Sequence, residues 1–176
     1  GKISSSDMIA GLVCGICLYV GYAFQNFGLM ETTPSKSAFI TSVSVILVPV
    51  MLVLFRIKKV KLQIWVSTFL AIIGLFVLLD PAGRGLNVGD VLTFGCALSF
   101  AAHIIFQDFY ISKGVNITYL LLTQLMFVTL FSCCSVFVFE DLSIVLSSRL
   151  LIAIIVTGVF ATFIALFIMI WAQTIL

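Results

Sequence analysis

Charge is the scarcest ingredient of this sequence. Nine basic and 7 acidic side chains serve 176 residues, 9% in all, against about 25% in soluble domains. With 62% of residues hydrophobic, so little charge excludes a soluble globular chain, because only a bilayer accommodates this much uninterrupted apolar sequence. The formal net charge of +2 is too small to point to nucleic acid as a partner. Histidine is nearly absent, His103 being the single copy. With HExxH and paired CxxC motifs also missing, neither a metal nor a cofactor is expected. The cysteines are few, namely Cys14, Cys17, Cys96, Cys133 and Cys134, and all lie inside apolar segments. Cys14-Gly-Ile-Cys17 has redox spacing, yet at lipid depth all five read as small packing residues. A cleavable signal pattern is also missing. The sequence starts at Gly1 without an initiator Met and stops at Leu176 inside an apolar run, so it reads as a fragment of a longer membrane protein.

Long apolar runs are what the sequence does have. Six reach the length of about 20 residues that a hydrocarbon core requires, near Met8–Met30, Ser37–Phe55, Leu62–Leu79, Val88–Tyr110, Ile117–Phe139 and Leu150–Gln173. The turn after the second run holds Arg56, Lys58, Lys59 and Lys61, the densest basic cluster. The positive-inside rule places this loop, residues 56–61, in the cytoplasm. Lys2 and Lys113 then fall inside as well. Glu31, Asp80, Asp90, Glu140 and Asp141 fall outside, with Lys36, Arg84 and Arg149, so basic residues divide six to three. The expected location is the bacterial inner membrane, with the bilayer as the first partner.

The stretch Tyr22–Val50, YAFQNFGLMETTPSKSAFITSVSVILVPV, organises the rest. Thr33 is placed to cap a helix beginning at Pro34, where a missing N–H costs nothing. The short turn makes the first two runs antiparallel neighbours. Within the second run, Thr41, Ser42 and Ser44 precede Pro49. A proline there frees the carbonyl of Val45, so a kink is expected at Pro49. Freed carbonyls at membrane depth are tolerated only against protein or a water-filled cavity, which points to a polar space between helices.

The Pro/Gly-rich break DPAGRGLNVGD over 80–90 is a natural boundary between two units. The sixth run echoes the first, each leading through aromatics to a glutamine, Gln25 in YAFQNF and Gln173 in MIWAQT. If both are third helices of a five-helix unit, successive copies insert with opposite topology, as the opposed directions of these two runs require. Such inverted repeats are typical of secondary transporters.

Specific stretches carry a resemblance. FQNFGLMETTPSKSAFITSVSVILVPV resembles the third and fourth helices of EamA-type proteins of the drug/metabolite transporter superfamily, which run from an aromatic-rich helix through a Thr/Ser/Ala turn to a helix with a late proline. WVSTFLAIIGLFVLL resembles their fifth helix, which packs through a central glycine, here Gly74. GDVLTFGCALSFAAHIIFQDFY resembles the opening of their second repeat. The wholly basic turn FRIKKVKLQ departs from the family, which often has an acidic residue there. The resemblance covers nearly the whole chain. It implies an all-α polytopic membrane protein, part of a ten-helix bundle of two inverted five-helix repeats. Residues 1–80 would hold the end of the first repeat, 81–88 the linker, and 89–176 the start of the second.

Polar residues inside the spans are the candidate site. Ser99, His103 and Gln107 are spaced by four and share one helix face, which Cys96 and Tyr110 extend. An ionisable group at such depth marks a pathway or a proton relay; held by interhelical hydrogen bonds, it is only packing. Gln25 and Gln124 are read as lining the same cavity, with Ser42 and Pro49 from the kinked run, while Gln107 and Gln173 lie nearer the ends. Tyr19, Tyr22, Phe24 and Phe27 read as lipid-facing or interfacial. Gly11-xxx-Gly15 permits close helix approach, used within the chain rather than for dimerisation, although a homodimer stays open. Asn116-Ile-Thr118 matches a glycosylation sequon by chance. Adjacent Glu140 and Asp141 read as solvated charges. The function these features imply is secondary transport of small organic metabolites, polar or amphiphilic, by alternating access. A non-transporting membrane subunit or assembly factor is the alternative. An intramembrane enzyme using Ser99 and His103 as nucleophile and base lacks an oxyanion motif.

Overall fold

The computed structural model describes residues 3–57, 59–79, 86–139 and 147–175. Lys2, Lys58, Arg84, the linker over 80–85, and the Glu140–Asp141 pair lie outside the described residues. The elements are α1 (Ser5–Leu29), α2 (Pro34–Ser42), α3 (Ser44–Leu54), α4 (Leu62–Leu79), α5 (Val88–Ser112), α6 (Ile117–Phe139), α7 (Ser148–Ile155), a π-helical stretch Val156–Ile164, and α8 (Ala165–Gln173). Taking α2 with α3, and α7 through α8, as single spans, five stretches are long and apolar enough to cross a membrane. The apolar run of α4 over Leu62–Gly74 is shorter.

Polar side chains set where these helices begin. Ser4 and Asp7 form a capping box on α1: Ser4 N and Oγ donate to Asp7 Oδ2 at 2.8 and 2.7 Å, and Asp7 N donates to Ser4 Oγ at 3.2 Å. Asn87 and Asp90 repeat the device on α5, with Asp90 N donating to Asn87 Oδ1 at 2.8 Å and Asn87 N to Asp90 Oδ2 at 3.0 Å. On α6 the cap is Asn116, whose Oδ1 accepts from Thr118 N at 2.9 Å and Tyr119 N at 3.3 Å. The sequon-like triplet is therefore a helix start. Thr33 caps α2 as expected, accepting from Lys36 N at 3.3 Å with Pro34 in the first turn. Thr33→Ala is expected to cost about 1 kcal/mol, read as a lower melting temperature of the purified protein in detergent.

Two details of helix shape lie beyond the run boundaries. The second run continues as α3 through the buried Pro49. It breaks at Val43, between α2 and α3. Ser42 Oγ donates back to the Ala38 carbonyl at 2.7 Å, and Val43 N turns to Ile40 O at 3.0 Å. Back-bonding of a hydroxyl to the carbonyl four residues earlier bends helices, which favours a break at this turn. The last run is not a uniform α-helix either. Its middle, Val156–Ile164, is π-helical, and Thr162 Oγ1 donates to the Thr157 carbonyl five residues back at 2.8 Å.

The chain divides into two compact units, Gly1–Ile16 with Phe106–Leu176, and Cys17–Ile105. In the first, the start of α1 lies parallel to α6. A Cβ on Gly11 would collide with the Thr123 side chain and stand 2.9 Å from its backbone carbon, and one on Gly15 would stand 2.8 Å from Phe127 Cβ. The Gly-xxx-Gly motif thus serves packing inside this unit, around a core of Ala10, Cys14, Val115 and Leu120. In the second unit, the end of α1 runs antiparallel to α5. Phe24 lies over Gly95, Tyr22 meets Phe100 edge-on at 5.6 Å, and Gly28 meets Gly89. Tyr22 is therefore a packing residue rather than a lipid-facing one. The helix α4 packs on α2 and α3, with Phe39 edge-on to Phe76 at 5.9 Å. Gly74 gives no close packing: a Cβ there would meet nothing within 4 Å among the described residues. Of the cysteines, Cys14 and Cys96 are buried, Cys17 is half-buried, and Cys133 and Cys134 are exposed rather than packed.

Candidate functional site

The helix α5 carries one polar side chain on nearly every turn. Asp90, Thr93, Cys96, Ser99, His103 and Gln107 follow each other at spacings of three and four, with Cys96, Ser99, His103 and Gln107 on one face and Thr93 and Asp90 winding round from it toward the helix start. All but the half-buried Ser99 are buried: Asp90 and His103 are 2% exposed, and Thr93, Cys96 and Gln107 are 0% exposed. At 1.5 Å per residue the stripe is about 26 Å long, close to the thickness of a hydrocarbon core of about 30 Å. A buried polar stripe of this length inside an apolar helix is costly unless its members have partners or a pathway to line.

Partners account for several members. Thr93 Oγ1 donates to the Gly89 carbonyl at 2.8 Å. Cys96 Sγ lies 3.9 Å from Thr41 Oγ1 of α2. Ser99 Oγ donates to the Cys17 carbonyl of α1 at 2.8 Å. That bond takes the hydroxyl proton away from any pairing with His103, so a nucleophile–base dyad is not assembled. Gln107 differs from the rest: neither Nε2 nor Oε1 has a hydrogen-bond partner among the described residues.

The other candidates fall as follows. Gln25 is half-buried on the α1 section of the Cys17–Ile105 unit, which also holds Ser42, Pro49, Ser99 and His103. Ser42 satisfies its hydroxyl within its own helix, and Thr41 rather than Ser42 reaches α5. Pro49 is buried in α3. Gln124 belongs to the other unit, is 0% exposed, and lies on α6 where Gly15 of α1 approaches its backbone. Gln107 belongs to that unit too.

The stripe ends in a polar knot that sequence reasoning had left as separate turn charges. Lys36 Nζ donates to Asp90 Oδ2 at 2.6 Å, with side chains 14% and 1% exposed. Thr32 Oγ1 donates to Asp90 Oδ1 at 2.5 Å. Asn87 holds the backbone of the same turn, its Nδ2 donating to the Glu31 carbonyl at 2.7 Å. Every oxygen of the carboxylate is thus engaged by a charged or polar donor. A signal for half of this exists in the sequence, since Asn87-Val-Gly-Asp90 has capping-box spacing. Nothing in local sequence pairs Lys36 with a residue 54 positions away.

Comparison with known proteins completes the site. Residues 1–80 match the EamA-like transporter family. A curated relative from Archaeoglobus fulgidus, named only as an uncharacterized transporter, is 31% identical over 168 residues. The match takes in 96% of this chain and 53% of the relative, so the chain spans about half the relative's length. No solved structure matches the chain. Both matches point to a transporter rather than an enzyme, and the apolar spans make it an integral, multi-pass membrane protein. Residues 1–80 are thus an EamA-like transporter domain, and the similarity to a curated transporter runs along nearly the whole chain.

Proposed function

We propose that the protein is a secondary transporter that moves small organic metabolites, polar or amphiphilic, across the plasma membrane by alternating access. The observation that carries this reading is the buried polar stripe of α5, from Asp90 to Gln107, which gives a solute donors and acceptors along most of the membrane thickness. His103 in mid-stripe is the solute or proton contact, Gln25 in the same unit supplies a further amide group, Gln124 offers one in the other unit, and the half-buried Ser42 stands beside the Val43 break, ahead of the buried Pro49. The basic loop 56–61 faces the cytoplasm, which puts the Lys36–Asp90 end of the stripe outside. Residues 1–80 and 89–176 belong to successive inverted repeats of the full-length protein.

The test is solute counterflow with the full-length protein in proteoliposomes, screened over labelled amino acids, nucleosides and amphiphilic cations. For a solute that wild type carries, His103→Ala and Gln25→Ala are each expected to lower the rate at least about tenfold, the effect of losing one good polar contact. Wild-type rates in both variants at matched protein levels would remove these residues from the site. No flux of any solute, together with a partner that co-purifies in fixed ratio, would favour the subunit reading instead.

A further inference from the structure

We propose that Lys36 and Asp90, clamped by Thr32 and Asn87, form the external gate of the transport path, and that α2 is the flap this gate releases. The proposal rests on the transporter reading and its orientation. Three features meet here. The first is chemical. A buried ion pair is weak glue, because desolvation offsets most of its attraction, and its best-attested use is to select one of two arrangements. Lys36 and Asp90 are such a pair, at 2.6 Å and nearly out of water.

The second feature is position. The pair joins the first turn of α2 to the first turn of α5, where the polar stripe ends. Further in, the same two helices touch again through Thr41 and Cys96 at 3.9 Å. The contacts at Lys36–Asp90 and at Thr41–Cys96 lay α2 along the outer part of α5, and parting them uncovers Cys96, now fully buried.

The third is mechanical. The nine residues of α2 end at the Val43 break, and hinges are commonly one or two residues at the end of an element. At its other end α2 is entered through the turn that carries Thr32, whose side chain is anchored on Asp90 itself. The segment is thus a short rigid lever, hinged at Val43 and latched at Lys36. Opening needs only the exchange of the carboxylate's partners for water or a polar solute group at the mouth.

Cys96 is a built-in reporter. In the full-length protein with every other cysteine replaced by serine, intact cells are treated with a membrane-impermeant methanethiosulfonate, and inside-out vesicles with the same reagent. Lys36→Met and Asp90→Asn are expected to speed outside labelling of Cys96 at least about tenfold, a shift of the gate equilibrium by that factor, while labelling from the inside stays at the wild-type rate. Asn87→Ala, which removes the clamp and keeps the pair, should fall between and serves if either charge variant fails to reach the membrane. Unchanged outside labelling in all three, or equal acceleration from both sides, would overturn the gate, the second outcome showing loosened packing only. Failure of the transporter reading shows separately, as proteoliposomes silent toward every solute while the labelling still answers.

Discussion

Gly89→Ala is expected to be strongly destabilising. A Cβ at this position would stand 2.6 Å from the Gly28 carbonyl oxygen and 2.9 Å from the backbone carbon of Glu31. Both obstacles are main chain, so no side chain can swing aside, and relief requires α1 and α5 to separate. Overpacking of this kind costs about 3 kcal/mol, a fall in apparent melting temperature on the order of 10 °C. The displacement falls on the turn that holds Asn87 and Asp90, so the knot with Thr32 and Lys36 is lost with it. Gly74→Ala and Gly158→Ala are the controls. Neither meets an atom within 4 Å, and alanine is the better helix former by roughly 0.5–1 kcal/mol. Thermal unfolding in detergent, followed by size-exclusion chromatography, separates the cases. A Gly89→Ala protein as stable as these controls would show that the two backbones do not touch.

Gln107→Leu is expected to move stability and transport in opposite directions. The amide is fully buried, and neither of its polar atoms has a partner among the described residues. Leaving a buried donor and acceptor unpaired costs about 1–3 kcal/mol, and an apolar side chain of similar size removes that cost. Melting should therefore rise. Transport should fall at least about tenfold, because an amide offers an adjacent donor and acceptor, the pair that reads another amide or a nucleobase edge, and leucine offers neither. Stability kept at the expense of function is the usual pattern at working sites. A leucine variant that melts lower than wild type, or carries solute at the wild-type rate, would sink this assignment.

Much of the fold is legible in the sequence because membranes demand little else. Runs of apolar residues fix α4 at Leu62–Leu79 and α6 at Ile117–Phe139, and the other spans within a few residues. Thr33 and Pro34 announce the start of α2 for a local reason, the needs of a helix N-terminus. The same logic was available at Ser4/Asp7, which went unread, and at Asn87/Asp90, where the charge invited a topological reading and concealed a capping box. The break at Val43 has a quieter signal than a proline, the hydroxyl of Ser42 bonded back to the Ala38 carbonyl beside it. The π-helical middle of the last span has no composition of its own that marks it. In the site, the stripe through Ser99, His103 and Gln107 follows from spacing alone. The contact of Lys36 with Asp90, and of Gly28 with Gly89, is a property of how helices meet, which one residue's neighbours in sequence do not encode.

The gate proposed at Lys36 and Asp90 also has a consequence for membrane voltage. A single charge carried through the whole field is worth about 2.3 kcal/mol per 100 mV. Lys36 and Asp90 cancel each other and lie at one depth, at the ends of their helices. Parting them sideways carries no net charge along the field, so the resting potential neither holds this end of the protein shut nor pulls it open.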